Sequence, residues 1–193
     1  MQRFLIAVVT AVASLGCLYQ GEAKSFDATE HRPDVEMLTV PVVLQQDRLD
    51  CGPAALSSLL AYWGIEETPD SIRRAIGTPK GRTLRAADLR EHAKRKGLDA
   101  FVFQGTLAEL EAEIDARRPV LVGTLKPYVG DKWFAHYEVV TAVGQGTIVT
   151  MDPGGGYREY PTAGFLREWE RTQRVMLVAA KPEAEQPVAT TRK

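Results

Sequence analysis

From residue 4 to residue 16 the chain is apolar or small without a break, and Arg3 stands just before it. After that the apolar runs shorten and acquire periods. Ala55, Leu56, Leu59, Leu60 and Trp63 recur at three- and four-residue spacing, which predicts a helix with one apolar face, beginning at Cys51 and ending before Gly64. Pro53 suits the first turn of such a helix, and Gly64 suits its stop. Trp63 continues the apolar face and is expected in the core.

Further elements follow from the same signals. Thr68-Pro69 opens a short helix that stops near Gly77, and 83–96 forms another, closed by Gly97. His92 lies in the second of these among Arg90, Glu91, Lys94, Arg95 and Lys96, so it is expected on a solvated face. Thr106 with Glu109 is a capping-box pair that starts a helix running to about Arg117. Strands are predicted at 99–104, 119–125, 136–143, 147–151, 158–160 and 174–180, with a short helix at 164–171. Gly144-Gln145-Gly146 reads as a hairpin turn. The segment 36–44 is β-prone and predicts a strand or an extended arm. Helices lead and antiparallel strands follow, the pattern of an α+β fold.

Composition changes this picture little. The 193 residues suffice for one domain with its own core. Lys+Arg 24 against Asp+Glu 25 gives no basic surface for nucleic acid. The N-terminus departs from the average. Its apolar run, about a dozen residues, is shorter than the roughly 20 of a membrane span, and it matches a signal peptide. Gly21-Glu22-Ala23 offers one cleavage site; Leu15-Gly16-Cys17 offers a lipoprotein box in which Cys17 receives lipid. The expected organisation is a signal peptide at 1–23, a polar linker at 24–39 that holds His31, one domain at 40–180 and a loose tail at 181–193. Either exit places the domain outside the cytoplasm, in the periplasm or beyond, touching membrane only through the signal or a lipid.

Setting that segment aside leaves Cys51 as the lone cysteine. Exported proteins pair their cysteines or omit them, whereas a thiol at a helix N-terminus is placed to be a thiolate, because the helix dipole and free N–H groups favour the anion. A thiolate nucleophile needs a histidine, and the histidine needs an orienting group. A hairpin centred near Gly144 would set His136 opposite Asp152 on one face of the sheet. Trp133 and Phe134, just before His136, suit either a cleft wall or the core. The backbone N–H of Cys51 supplies one donor for an oxyanion, and the side chain of Gln45 or Gln46 a second. Spacing does not choose between the two glutamines. The three histidines are too widely spaced to suggest a metal site, and no cofactor is expected. Gly154-Gly155-Gly156 lacks the Lys-Ser/Thr of a phosphate loop and reads as a turn.

Together these residues resemble the double-glycine leader peptidases, the bacteriocin-processing branch of the papain-like cysteine proteases. The resemblance is carried by Gln45, by Asp50-Cys51-Gly52 with Ala54-Ala55-Leu56, by Tyr62-Trp63-Gly64, by His136-Tyr137-Glu138-Val139-Val140 and by Asp152-Pro153. It implies a papain-like α+β fold, a nucleophile helix packed on an antiparallel sheet. It also implies that Cys51 is the nucleophile, His136 the base and acid, Asp152 its orienter, and Gln45 the oxyanion-hole glutamine. The implied substrate is a peptide or exported protein cut after small residues such as Gly-Gly. Many members of that family are N-terminal domains of transporters with an ATPase, and this sequence contains no Walker motif. An amidase or transpeptidase acting on cell-wall peptides with the same residues, and a silent binding module on the same fold, are the alternative readings.

Overall fold

The computed structural model describes residues 19, 21–29, 36–77 and 82–182. Cys17 with the rest of 1–18, His31 in the polar stretch, and 183–193 of the tail lie outside the described residues. The elements run β1 (Lys24–Ser25), α1 (Cys51–Tyr62), α2 (Pro69–Ile76), α3 (Ala86–Arg95), β2 (Asp99–Gln104), α4 (Leu107–Asp115), β3 (Val120–Tyr128), β4 (Lys132–Val143), β5 (Thr147–Asp152), β6 (Gly156–Pro161), α5 (Thr162–Glu170) and β7 (Val175–Ala180). Seven strands form one sheet in the order β1-β6-β5-β4-β3-β7-β2, with antiparallel pairing throughout. This is the expected α+β class, with helix α1, which begins at Cys51, against the sheet.

Strand alternation gives the sheet two apolar faces. Leu121, Val139, Met151, Leu177 and Ala179 pack with α1 and α3 residues, including Leu56, Leu60 and Leu89. Val120, Val122, Val140, Ile148 and Met176 pack with Leu110 of α4 and with Phe165 and Trp169 of α5. Helix α1 is more deeply placed than its one-sided pattern predicts: every residue from Cys51 to Leu60 is buried. Its second side is small (Ala54, Ser57 and Ser58), so other elements close over it. Ser57 Oγ donates to the Glu67 carbonyl at 2.5 Å, and Ser58 Oγ lies 3.8 Å from Met151 Sδ. Trp63 packs partly buried against this cluster.

One expectation changes, and another resolves to one of its two stated forms. His92 is not on a solvated face; it is 1% exposed, with Nε2 2.7 Å from Glu67 Oε2 and Nδ1 3.2 Å from Arg95 Nη2. The charge run misleads because its neighbours alternate around the helix, leaving His92 and Leu89 on the inward side. The segment 36–44 is an extended arm and joins no ladder. Leu38 and Val40 are buried, the Leu38 N–H donates to the Thr141 carbonyl at 2.9 Å, and Tyr157 Oη serves both polar groups of Val40.

The stretch expected as a linker therefore contributes Leu38 to the core, and β1 pairs with β6. Ahead of it, Tyr19 Oη donates to Glu168 Oε1 at 2.7 Å, and Glu22 pairs with Arg167. The capping box of α4 forms as expected: the Glu109 N–H donates to Thr106 Oγ1 at 3.2 Å and the Thr106 N–H to Glu109 Oε2 at 2.8 Å.

Candidate active site

Cys51 is the first residue of α1, where backbone N–H groups have no acceptor within the helix. Gly52 lets this end settle onto β4: a Cβ there would come within 3.2 Å of Tyr137 Cδ2. The thiol, 2% exposed, lines the same cleft as the His136 imidazole, and its interaction with that ring favours the imidazolium. His136 Nε2 is already engaged, 2.6 Å from Asp152 Oδ1, which leaves Nδ1 for the thiol.

The hairpin makes the His136–Asp152 pair differently from expectation. It pairs Val139 with Met151 and Val140 with Thr150, then shifts register at a bulge before Ala142. Continuing this register sets Asp152 opposite Glu138, two residues along from His136. The cause is the turn. Gly146 takes the left-handed conformation at φ 83°, and the Gly144 N–H donates to the Thr147 carbonyl at 2.8 Å. The apex therefore falls later than Gly144. A shift of two preserves strand parity, so the residues share a face and meet as diagonal neighbours.

Asp152 is fixed from its other side as well. The chain turns at Pro153, and the Gly154 N–H donates to Asp152 Oδ1 at 2.7 Å. The glycine triplet is thus a tight turn between β5 and β6, where Asp152 pairs with Gly156. Burial alone would raise the Asp152 carboxyl, but the charge and hydrogen bond of His136, the Lys126 ammonium and the Gly154 N–H hold it well below the carboxylate range. Burial likewise pushes the His136 imidazole down. The Asp152 charge and hydrogen bond outweigh this, Cys51 adds to them, and the result is about 10. Behind the pair, Lys126 Nζ lies 2.7 Å from Glu138 Oε1 and 3.1 Å from Glu168 Oε2, all buried.

Gln45 and Gln46 part company in the structure. Gln46 is exposed, whereas Gln45 is partly covered and its backbone N–H donates to the Pro153 carbonyl at 2.9 Å. This bond ties the chain leading to Cys51 to the turn that follows Asp152. The Gln45 amide has a buried Oε1 with no hydrogen-bond partner among the described residues. Cys51 and His136 open onto a cleft of about 310 Å³ whose walls include Leu84, Gly123, Tyr137 and Thr172. Phe134 stands edge-on to the His136 ring at 5.9 Å, while Trp133 instead carries the Arg171 guanidinium at 3.8 Å.

Leu84, Tyr137 and Thr172 were not singled out as site residues by sequence reasoning. Tyr137 had a usable signal, since it follows His136 and must point to the opposite side of β4. Thr172 lies beyond α5 and had none. Among the described residues, no three His, Cys, Asp or Glu side chains converge to hold a metal, and no helix is long and apolar enough to cross a membrane.

Comparison with known proteins bears on the family and the fold. The peptidase C39 family model matches residues 39–183. The lactococcin-G-processing and transport ATP-binding protein of Lactococcus lactis subsp. lactis is 28% identical over 144 residues, 75% of this chain and 19% of that protein. The lactococcin-A transport/processing protein of the same organism is 28% identical over 132 residues, 65% of this chain and 17% of that protein. The chain thus spans under a fifth of the length of these curated relatives. Among solved structures, the peptidase domain of Streptococcus ComA, a bifunctional ABC transporter, shares the fold with a TM-score of 0.63 and 23% identity, covering 75% of this chain and 100% of that domain. A double glycine motif protease from an AMS/PCAT transporter, solved with its leader peptide, gives a TM-score of 0.61 and 21% identity over 76% of this chain and 94% of that one. With a family match over most of its length, the chain belongs to the peptidase C39 family, and it is a cysteine peptidase.

Proposed function

We propose that Cys51, His136, Asp152 and Gln45 carry out hydrolysis of a peptide bond through a thioester acyl-enzyme. The observation that carries this reading is the imidazole of His136, held by Asp152 at 2.6 Å on one ring nitrogen and facing Cys51 with the other, at the mouth of a cleft. An imidazolium beside Cys51 at a helix N-terminus favours the thiolate–imidazolium pair. The thiolate attacks the scissile carbonyl carbon, and the carbonyl oxygen takes up the charge. The Cys51 N–H and the Gln45 amide are the donors for that oxyanion. As the C–N bond breaks, the leaving amine takes the His136 proton. Water then attacks the thioester and gives one proton to His136; the thiolate leaves, and the new carboxylic acid loses its remaining proton to solvent as the carboxylate. The donor role belongs to the Nε2 amide group of Gln45, and it is supported by the backbone N–H of Gln45, which ties this residue to the Pro153 carbonyl next to Asp152.

The substrate in this reading is a peptide or an exported protein, cut after small residues such as Gly-Gly. The cleft supports it: the small residues Gly123 and Ala135 line it beside Tyr137. The named relatives process bacteriocins, and one solved relative holds a leader peptide. Digestion of a peptide library by the wild type and by Cys51→Ala, read by mass spectrometry, tests it. Cleavage by the wild type alone, clustered after small residues, is the expected result. Identical profiles for both proteins would leave only the binding-module reading, and ligated or deamidated products would favour the transpeptidase or amidase.

We further propose export to the periplasm or cell exterior, through a cut after Ala23 or through lipidation at Cys17. The apolar run behind Arg3 and the Leu15-Gly16-Cys17 motif support this. Tyr19 bears on the choice, since its bond to Glu168 would be lost by a cut after Ala23 and kept by a cut before Cys17. The mass of the N-terminal peptide of protein isolated from cell envelopes decides between the exits.

A further inference from the structure

We propose that Arg73 is a positioning residue for the nucleophile, holding the Asp50 carboxylate off the N-terminus of α1 and fixing the chain that enters Cys51. The proposal rests on Cys51 being the nucleophile. Asp50 occupies the N-cap of α1 and belongs to a residue type that ordinarily accepts from the second or third helical N–H. Here the third helical residue is Pro53, which has no N–H, so Gly52 is the remaining target. Asp50 makes no cap bond at all. Its Oδ1 instead takes Arg73 Nε at 2.8 Å and lies 2.5 Å from Arg73 Nη2.

The rest of the Arg73 fork is committed to backbone. Nη2 donates to the Leu49 carbonyl at 2.5 Å, and Nη1 to the Arg82 carbonyl at 3.2 Å. One guanidinium therefore joins the chain before Cys51, helix α2, and the segment leading into Thr83, Leu84 and Arg85 of the cleft wall. A lysine has no planar fork to reach all three acceptors.

Two consequences follow for Cys51. The Gly52 N–H and the helix dipole stay free for a thiolate or an oxyanion. A carboxylate one residue away is also neutralised rather than set against the thiolate. The other ionisable groups facing this end are His136 and Tyr137 from β4, Asp152 through His136, and Arg85 with Asp88 at the start of α3. None of these contacts Asp50 in place of Arg73 among the bonds described.

The test compares wild type, Arg73→Gln, Arg73→Lys and the double variant Asp50→Asn/Arg73→Gln. The first readout is the iodoacetamide rate of Cys51 at pH ~6 relative to pH ~9; the second is kcat and KM on a cleaved peptide. Losing charge-assisted hydrogen bonds of this kind is expected to lower the rate ratio and kcat roughly ten-fold in Arg73→Gln, with KM within about two-fold. Arg73→Lys should fall between. The double variant should recover most of the rate ratio, because Asp50→Asn removes the charge from the helix end. An Arg73→Gln protein with wild-type ratio and kcat overturns the proposal. So does a double variant as slow as Arg73→Gln, since Arg73 would then be only a backbone anchor. Thermal melts accompany each protein, and if Arg73→Gln does not fold, the rate ratio of Arg73→Lys against the wild type decides. The underlying reading fails separately: a wild-type Cys51 with no low-pH reactivity dependent on His136 removes the nucleophile, and the proposal with it.

Discussion

Among the described residues there are two buried histidine–carboxylate pairs of nearly the same length, and they differ in almost everything else. His136–Asp152 is 2.6 Å and His92–Glu67 is 2.7 Å. Both histidines are buried, and both carboxyls are held below their ordinary range despite burial that would raise them. The difference lies at the far side of each ring. His136 faces Cys51 in an open cleft, whereas His92 Nδ1 faces Arg95, and Glu67 is further occupied by Lys96 at 3.1 Å and Ser71 at 2.9 Å. A short histidine–carboxylate bond is therefore no mark of chemistry by itself. One pair has a free ring nitrogen on the side of Cys51, the proposed nucleophile; the other is saturated and pins α3 to the chain between α1 and α2.

Matched substitutions should separate the pairs most strongly. Cys51→Ala and His136→Gln are expected to lower turnover by ~10³-fold or more, Cys51→Ala with little effect on folding and His136→Gln with a stability cost like that of His92→Gln. His92→Gln should leave the turnover of folded protein within about two-fold while costing about 2 kcal/mol of stability, because the Glu67 carboxylate loses a buried partner. Equal losses of turnover in His136→Gln and His92→Gln, measured on folded protein, would erase the distinction.

Asp152→Asn is the next largest effect, on the order of 10²-fold in kcat. Its signature is in the pH profile. In the proposed reaction the leaving amine takes the His136 proton, so activity should be lost as pH rises through the His136 value of about 10. Without the Asp152 charge, burial dominates and that value falls, so the alkaline limb should move to lower pH.

Stability against pH should reflect both pairs. Asp152 and Glu67 are depressed, so each stabilises the fold above its unfolded value near pH ~4 and loses this as pH falls below it. His136 is raised, so its contribution is full below pH ~6.5 and is lost as pH climbs towards about 10. Melting temperature should be highest between these limits. Glu67→Gln should soften only the acid limb, whereas Asp152→Asn should soften both. The smallest effect expected is that of Tyr19→Phe, about 1 kcal/mol in stability from the lost Glu168 bond, with turnover unchanged.

How much of this was legible in the chain varies with the physical origin of each feature. Helix α1 and the capping box of α4 were legible because local spacing and local hydrogen bonds make them. Cys51, His136 and Asp152 were legible as residue types on the right elements, and the structure brings them together. Their register was not, because the position of a left-handed glycine and a bulge near Thr141 decide it, and no periodicity reports either. His92 was misread because a run of charge says nothing about which side of a helix meets the core. Arg73 was invisible for a related reason: its partners, Leu49, Asp50 and Arg82, are brought to it only by the fold. The separation of Gln45 from Gln46 came from the resemblance rather than from spacing, and the covered position of Gln45 beside Pro153 accords with it.

The most direct measurement is the ¹⁵N NMR titration of the His136 ring, assigned with His136→Gln and repeated in Asp152→Asn. Both ring nitrogens of the wild type should remain protonated at pH ~8 and titrate near the value of about 10, with a clear fall in Asp152→Asn. A neutral His136 imidazole at pH ~7.5, unmoved by Asp152→Asn, would contradict the charged pair on which the account of Cys51 depends.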